Sequence, residues 1–294
     1  MTMSSTGPVV VGYDGSPASA AALAWAAGYA ARTHSPLRLV HALALPVVRG
    51  PVGVAAVLPV DELVASAEEL LEQAADRVRA DHPELAAEVA VRVGPATPVL
   101  LEEAHPARLV AVGSTGLGEL RDIMLGSVAL ELAEHAGRPV VVVPAGWTAP
   151  QASDERRVVV GVDGSDVSSP AVDFAFRQAA DTGAVLDAVL AWTGPVSTGP
   201  GDMLPLVYDA EALAEENRVT LAESLAGHMD KYPDVRVRPR VVRGRPASVL
   251  AEAARGAELL VVGSRGRGGF RGLLLGSVSR AVLHRCAGPV AVVR

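Results

Sequence analysis

The sequence predicts two α/β domains in tandem, each a doubly wound, parallel sheet of five strands. Three observations lead there. The chain has 294 residues, and at roughly 150 residues per domain that is enough for two. It repeats itself once at domain length. Val11-Gly12-Tyr13-Asp14-Gly15-Ser16 returns as Val160-Gly161-Val162-Asp163-Gly164-Ser165, and Leu125-Gly126-Ser127-Val128 returns as Leu275-Gly276-Ser277-Val278. In both halves, short apolar runs alternate with helical patterns, as strand–helix–strand units of a parallel sheet do. The offset is 149 residues from Gly12 to Gly161 and 150 from Gly113 to Gly263, so one residue enters between. The polar, proline-containing stretch Ala145–Arg156 reads as a linker, giving domains 1–148 and 149–294.

Each copy reads in the same order. The first strand is Pro8–Gly12, or Arg157–Gly161 in the second copy. Ser16 and Pro17 then supply an N-cap and a first-turn proline for an alanine-rich helix. The second strand is Leu37–Leu43 or Val185–Trp192, followed by a variable loop and a long charged helix, Asp61–Asp81 or Asp209–Lys231. The third strand is Glu88–Val93 or Val235–Arg243, and a short helix follows at Pro98–His105 or Ala247–Arg255. The fourth strand, Leu109–Gly113 or Leu259–Gly263, leads into a glycine-rich loop, a last helix and a fifth strand at Val140–Val143 or Val290–Val293.

Strand order follows from the repeated loops. Ligands of open parallel sheets sit at the carboxyl ends of strands, where the order reverses. The repeated motifs follow strands one and four, so these strands are expected to be neighbours. Right-handed crossovers then give the order 3-2-1-4-5. Arg236, Arg238, Pro239 and Arg240 mark strand three as an edge, where charge and proline belong. The all-apolar fifth strands would be the other edges. Covering them by pairing the two copies is the expectation, tested by whether separately expressed halves associate.

Composition narrows the function classes. Half the residues are hydrophobic, 20% are charged and only 3% are aromatic. That is a globular composition whose cores must be aliphatic. A net charge of −7 argues against a nucleic-acid partner. The single cysteine, Cys286, excludes an internal disulfide and a cysteine metal cluster. It is placed in the last helix, buried and inert. The opening residues lack the basic start and long apolar run of a signal peptide. Ala18–Ala31 is too short to span a membrane. A cytoplasmic protein with no integral membrane segment is therefore expected.

The candidate chemistry lies in the loops. Gly113-x-x-Gly116, nine residues and Gly126-Ser127 recur as Gly263-x-x-Gly266, nine residues and Gly276-Ser277. Glycines let a backbone approach a ligand closely, and successive N–H groups make an anion nest. A Gly-Ser at a helix start adds free N–H groups and the helix dipole. One such loop alone would suit a tight turn, with Ser127 as a plain helix cap. The same spacing in two diverged copies favours phosphate. The loop has neither the lysine of a Walker A motif nor the position of a Rossmann fingerprint, since the first strand ends in Gly-x-Asp. Asp14 and Asp163, beside the loops, suit donors on adenine or ribose, against the bland role of closing a turn with the next glycine.

With these residues in view, the sequence closely resembles the universal stress protein family, in the tandem two-domain form of actinobacteria. The resemblance spans nearly the whole chain. It rests on the Gly-x2-Gly-x9-Gly-Ser motif, intact in both copies, and on the strand-one aspartate. It implies a Rossmann-like, adenine nucleotide alpha hydrolase-like fold, with one ATP per domain and Mg²⁺, and no metal held by protein side chains alone. It implies adenine near Asp14 and the backbone of Val40, and near Asp163 and Val189, with Gly12 and Gly161 beside them. Ribose and phosphates would lie over Gly113, Ser114, Thr115, Gly116 and Gly118, and over Gly263, Ser264, Arg265, Gly266, Arg267 and Gly268. Terminal phosphates would reach Gly126, Ser127 and Val128, and Gly276, Ser277 and Val278. Family members pair through strand five, and a homodimer beyond the internal pair stays open.

No catalytic residue is expected. His41 has Leu190 as its counterpart, and a group needed at both sites should recur. His105, His135 and His284 lack metal spacing and suit solvated or capping roles. The arginines from Arg236 to Arg245 read as a solvated edge strand more than as an anion patch. The reading is a nucleotide-dependent regulator of stress response, dormancy or growth, acting through an unidentified protein partner. The alternatives are a slow ATPase or phosphotransferase, and a cyclic AMP-binding module. Against the first stand the lack of a repeated general base and of a lysine at the loops. Against the second stands a loop intact enough for a longer phosphate chain. The two loops also differ. Arg265, Arg267 and Arg271 lie in the second, whereas the first has Thr115, Leu117, Glu119, Arg121 and Asp122. The second site is expected to hold triphosphate more tightly, and the first to depend more on Mg²⁺.

Overall fold

Valine-rich runs with no polar face form strands that must be covered on both sides. The computed structural model describes residues 7–45, 59–116, 125–149, 155–194, 209–267 and 274–294. It divides into two units, residues 1–149 and 150–294. The first contains β1 (Val9–Gly12), α1 (Pro17–Arg32), β2 (Leu37–Leu43), α2 (Val60–Asp81), β3 (Ala87–Val93), α3 (Ala96–Ala104), β4 (Leu109–Gly113), α4 (Ser127–His135) and β5 (Val140–Val143). All its strand pairs are parallel and run β3-β2-β1-β4-β5. The second contains β6 (Arg157–Val162), α5 (Ser169–Thr182), β7 (Val185–Trp192), α6 (Ala210–Lys231), β8 (Val237–Arg243), α7 (Pro246–Ala253), β9 (Leu259–Gly263), α8 (Ser277–Arg285) and β10 (Val290–Val293). Its parallel order is β8-β7-β6-β9-β10. Both orders are the expected 3-2-1-4-5. The cores are mainly aliphatic, with Leu37, Leu39, Leu71 and Leu109 fully buried in the first unit, and Phe174, Phe176, Leu186 and Leu260 in the second.

The extra residue of the second copy can be located. Val40 and Val189 hold equivalent registers, against Gly12 and Gly161. The helices α2 and α6 then begin 150 positions apart, at Val60 and Ala210. The insertion therefore falls in the connection between them, residues 44–59 in one copy and 193–209 in the other.

Two local starts differ from expectation. In the first unit the Ser16 side chain accepts the Ser19 N–H at 3.2 Å, and Pro17 opens α1, as the sequence predicts. In the second unit Ser165 Oγ instead donates to Asp163 Oδ1 at 2.6 Å. A short 3-10 turn, Asp166–Ser168, intervenes, and α5 begins only at Ser169, with no side-chain cap. A serine hydroxyl engaged by the aspartate does not cap the helix. Similarly, β8 begins at Val237 and not Val235, because the Val235 N–H is spent on Tyr232 O in a turn.

The edge strand β8 also shows how proline is accommodated. Leu186 N–H donates to Arg236 O, and Gly244 N–H donates to Trp192 O, so even-numbered residues face β7. Pro239 faces outward, where its missing N–H costs no ladder bond and removes a donor from the open edge.

Candidate functional site

In each unit the strand-one turn and the glycine loop leave adjacent strands at the same end of the sheet. β1 pairs directly with β4, and β6 with β9. The turn places its aspartate by an Asx hydrogen bond. Ser16 N–H donates to Asp14 Oδ1 at 3.0 Å, and Ser165 N–H to Asp163 Oδ1 at 3.0 Å. Gly15 and Gly164 supply the positive φ that the turn needs, at 81° and 73°. Oδ1 closes the turn, and Oδ2 points at the glycine loop. A Cβ added to Gly116 would lie 3.0 Å from Asp14 Oδ2, and one on Gly266 would overlap Asp163 Oδ2.

Both carboxyls are held as anions. Burial pushes the Asp14 pKa up, but hydrogen bonds from Ser16 and Ser19 outweigh it and hold the group below its ordinary 3.8. Burial likewise opposes ionisation of Asp163, and bonds from Ser165, the Arg267 amide and Ser168 win.

The glycines of the candidate set do different jobs. A Cβ on Gly12 would touch Leu100 at 3.0 Å, and one on Gly161 would meet Leu250 at 2.8 Å. These two admit the short helices α3 and α7 against the sheet. A Cβ on Gly113 would sit 2.6–2.8 Å from Ala18 and Ser19, so Gly113 lets α1 cross the end of β4. At Gly263 the nearest atom is Arg265 O at 3.0 Å, a looser fit. Gly116 and Gly266 lie against Asp14 and Asp163, and Gly126 and Gly276 lie against the backbone of Ser114-Thr115 and Ser264-Arg265.

The base of each loop is closed by backbone bonds. Ser114 N–H donates to Val143 O at 2.8 Å, and Gly126 N–H donates to Ser114 O at 2.7 Å. Ser264 and Gly276 repeat the pattern with Val293 O and Ser264 O at 2.6 and 2.7 Å. Gly126 and Gly276 are the N-cap residues of α4 and α8, and neither helix has a side-chain cap. Ser127 and Ser277 are thus the first helical residues and not caps. Their N–H groups and those of Val128 and Val278 belong to a helix start that has no side-chain cap among the described residues. Thr115 lies between, and Gly118, Gly268, Leu117, Glu119, Arg121, Asp122 and Arg271 lie outside the described residues.

Several residues sit differently from expectation or went unread. Val40 O accepts the Tyr13 N–H at 2.9 Å, so the ladder already uses part of the backbone assigned to adenine. Arg267 engages the strand-one turn. Its N–H donates to Asp163 Oδ2 at 2.8 Å and its Nη2 to Gly164 O at 3.2 Å, tying the loop to the strand-one turn. Arg265 is exposed. Cys286 follows α8 instead of lying in it and is only half-buried, with burial raising its thiol pKa. Ser19 and Ser279 were missed. Ser19 Oγ accepts the Asp14 N–H at 3.4 Å, and buried Ser279 Oγ donates to Gly263 O at 2.6 Å. A small polar residue on the apolar face of each helix was the available signal. His41 Nδ1 lies 2.8 Å from Tyr13 O, and His135 Nδ1 lies 2.9 Å from Glu131 O, both structural contacts.

Among the described residues, no group of three His, Cys, Asp or Glu side chains is placed to hold a metal ion. No described helix is long and apolar enough to cross a membrane.

Comparison with known proteins gives the family. The model of the universal stress protein family matches residues 6–144 and again 155–294. The chain belongs to the universal stress protein family. A universal stress protein of Mycolicibacterium smegmatis (strain ATCC 700084 / mc(2)155) is 40% identical over 293 residues, covering 97% of this chain and 96% of the relative. One of Mycobacterium tuberculosis (strain ATCC 25618 / H37Rv) is 40% identical over 296 residues, with the same coverage. The crystal structure of a universal stress protein from Archaeoglobus fulgidus DSM 4304 matches with a TM-score of 0.71 at 20% identity, covering 98% of each chain. It is a likeness of fold. The tandem arrangement is thus shared along the full length of the mycobacterial relatives.

Proposed function

We propose that each unit of this universal stress protein binds one ATP, and that nucleotide occupancy regulates a protein partner in stress response, dormancy or growth. The observation that carries the reading is the repeated, uncapped helix start behind a glycine loop, facing an anionic aspartate. The N–H groups at Ser127-Val128 and Ser277-Val278 suit terminal phosphates. The Oδ2 atoms of Asp14 and Asp163 suit a donor on ribose or adenine. In the second unit that atom now accepts the Arg267 amide, so nucleotide must displace or extend this contact. Mg²⁺ would be held through the phosphates, since the described side chains form no cage of their own.

Binding alone, without fast turnover, fits the residues. Among the described residues, neither aspartate has a second carboxylate or a histidine within its hydrogen-bonded set, so none of them supplies a general base common to both sites. Extracting nucleotide from the freshly purified full-length protein and weighing it by mass spectrometry tests the reading. ATP is the expected species. Cyclic AMP would replace this account with the cyclic-nucleotide one, and single-turnover hydrolysis well above a slow leak would replace it with an enzymatic one.

The two sites should differ. Arg265 and Arg267 bring positive charge to the second, which is expected to bind triphosphate more tightly. The first should depend more on Mg²⁺. Calorimetry on Gly116→Ala and Gly266→Ala, with and without Mg²⁺, reads each remaining site. Equal affinity and equal metal dependence would contradict the asymmetry.

A further inference from the structure

Each unit has a cavity against its edge strand and the short helix that follows it, α3 or α7, and the two places correspond in part. The walls differ in charge. In the first unit they include Arg38 and Arg92 against Glu88, Glu102 and Glu103. Arg38, Arg92, Glu88 and Glu103 there satisfy one another. Arg38 Nε meets Glu103 at 2.8 Å and its Nη1 meets Glu88 at 3.2 Å, while Arg92 Nε meets Glu103 at 2.9 Å.

In the second unit the cavity lies between α7 and β8 and measures about 470 Å³, with Arg157, Arg240, Arg245 and Arg255 in its walls and Glu252 as their single acid. Glu252 is already taken by Arg255 at 3.0 Å. Arg157 is held in place by buried Asp187 at 3.0 Å and by the Arg255 carbonyl at 2.6 Å. Arg240 and Arg245 are exposed, and their guanidiniums make no hydrogen bond or ion pair among the described residues. From α8, Arg285 adds a further guanidinium at the rim, donating to Ser248 Oγ at 3.3 Å.

Asp187 and Glu252 match Arg157 and Arg255, which leaves Arg240 on β8 and Arg245 at the start of α7 without an acid among the described residues, and like charges along one groove repel unless an anion joins them. Guanidinium forks match phosphate oxygens two at a time. A cavity of this volume is of small-ligand size. Among the described residues no aromatic side chain lines it, so none of them offers a stacking face to a nucleobase. We infer that the groove between α7 and β8 of the second unit binds a short phosphate chain, at a site separate from the glycine loop. The chain could come from free polyphosphate or from the tail of a nucleoside triphosphate, and the test separates the two.

Hydrogen exchange read by mass spectrometry on the full chain localises binding, with tripolyphosphate and ATP as separate probes. Tripolyphosphate is expected to slow exchange across residues 237–255 and to leave the equivalent segment 87–104 unchanged. Protection by ATP at 237–255 as well identifies a nucleotide tail as a ligand. Protection by tripolyphosphate alone identifies the free chain. The double variant Arg240→Gln/Arg245→Gln should weaken tripolyphosphate binding at 237–255 by at least about tenfold, while any protection at the start of α8 stays. Because tripolyphosphate reads the groove directly, failure of ATP binding at the loops would leave this test intact. Absence of protection at 237–255 with both probes, or the same protection in the double variant, overturns the inference.

Discussion

Gly113 and Gly263 occupy one place in two copies and carry different loads. Gly113 admits the α1 backbone to within 2.6–2.8 Å of where a Cβ would stand, whereas Gly263 faces mainly the Arg265 carbonyl at 3.0 Å. The second unit opens its first helix later, through the turn at Asp166–Ser168, and so relaxes this crossing. A motif repeated in sequence is thus not repeated in mechanics. The aspartate and the uncapped helix start are the parts that recur in both geometry and chemistry, and they are the parts assigned to ligand.

Replacing the two glycines breaks the comparison most sharply. Gly113→Ala should destabilise the first unit by about 2–3 kcal/mol, as overpacking against backbone does. Gly263→Ala should cost less than about 1 kcal/mol, since only a small shift is required. Urea unfolding of the two variants measures the difference, and equal losses would refute the packing explanation.

A smaller effect separates the aspartates. Asp163→Ala removes bonds from Ser165 and the Arg267 amide, whereas Asp14→Ala removes no bond from its glycine loop among the described residues. The expected cost at Asp163 is about 1–2 kcal/mol, allowing for partial exposure. Both carboxyls are held below their ordinary 3.8 in the folded protein. Their contribution is therefore full above that value and lost as pH falls through the lower folded pKa. Unfolding measured from neutral pH down to about pH 3 should show each variant converging on the parent. A gap that widens on acidification would reverse the sign.

The smallest contrast lies at the helix starts. Ser16→Ala should cost about 1 kcal/mol through the lost cap. Ser165→Ala should leave the start of α5 unchanged, because its hydroxyl serves Asp163 instead. Hydrogen exchange at residues 17–20 and 169–172 distinguishes them.

These contrasts mark how much was legible beforehand. Strand order followed from which loops repeat, and Pro239 with its arginines marked β8 as an edge because only an outward-facing residue there can lack an N–H. The pairing of Asp14 with Gly116, and of Asp163 with Gly266, was implied once strands one and four were neighbours. Other features depend on distances that no linear pattern contains. Gly113 is needed by a helix almost a hundred residues earlier. Ser165 looks like the cap Ser16 provides, yet its hydroxyl has a nearer acceptor. The arginines of β8 read as a solvated edge until α7 and the start of β6 are seen to bring Arg245, Arg255 and Arg157 to the same groove.

The central claim is that the recurring aspartate and helix start make one ATP site in each unit. Calorimetric titration of the nucleotide-free full chain with Mg²⁺-ATP tests it most directly, compared with the Ser277→Pro variant, which removes one N–H from the second helix start while keeping a residue suited to a first turn. The parent should bind two ATP at the glycine loops, and the variant should lose affinity at one of them while the other is unchanged. A parent that binds no ATP, or a variant that keeps both sites at full affinity, would contradict the account.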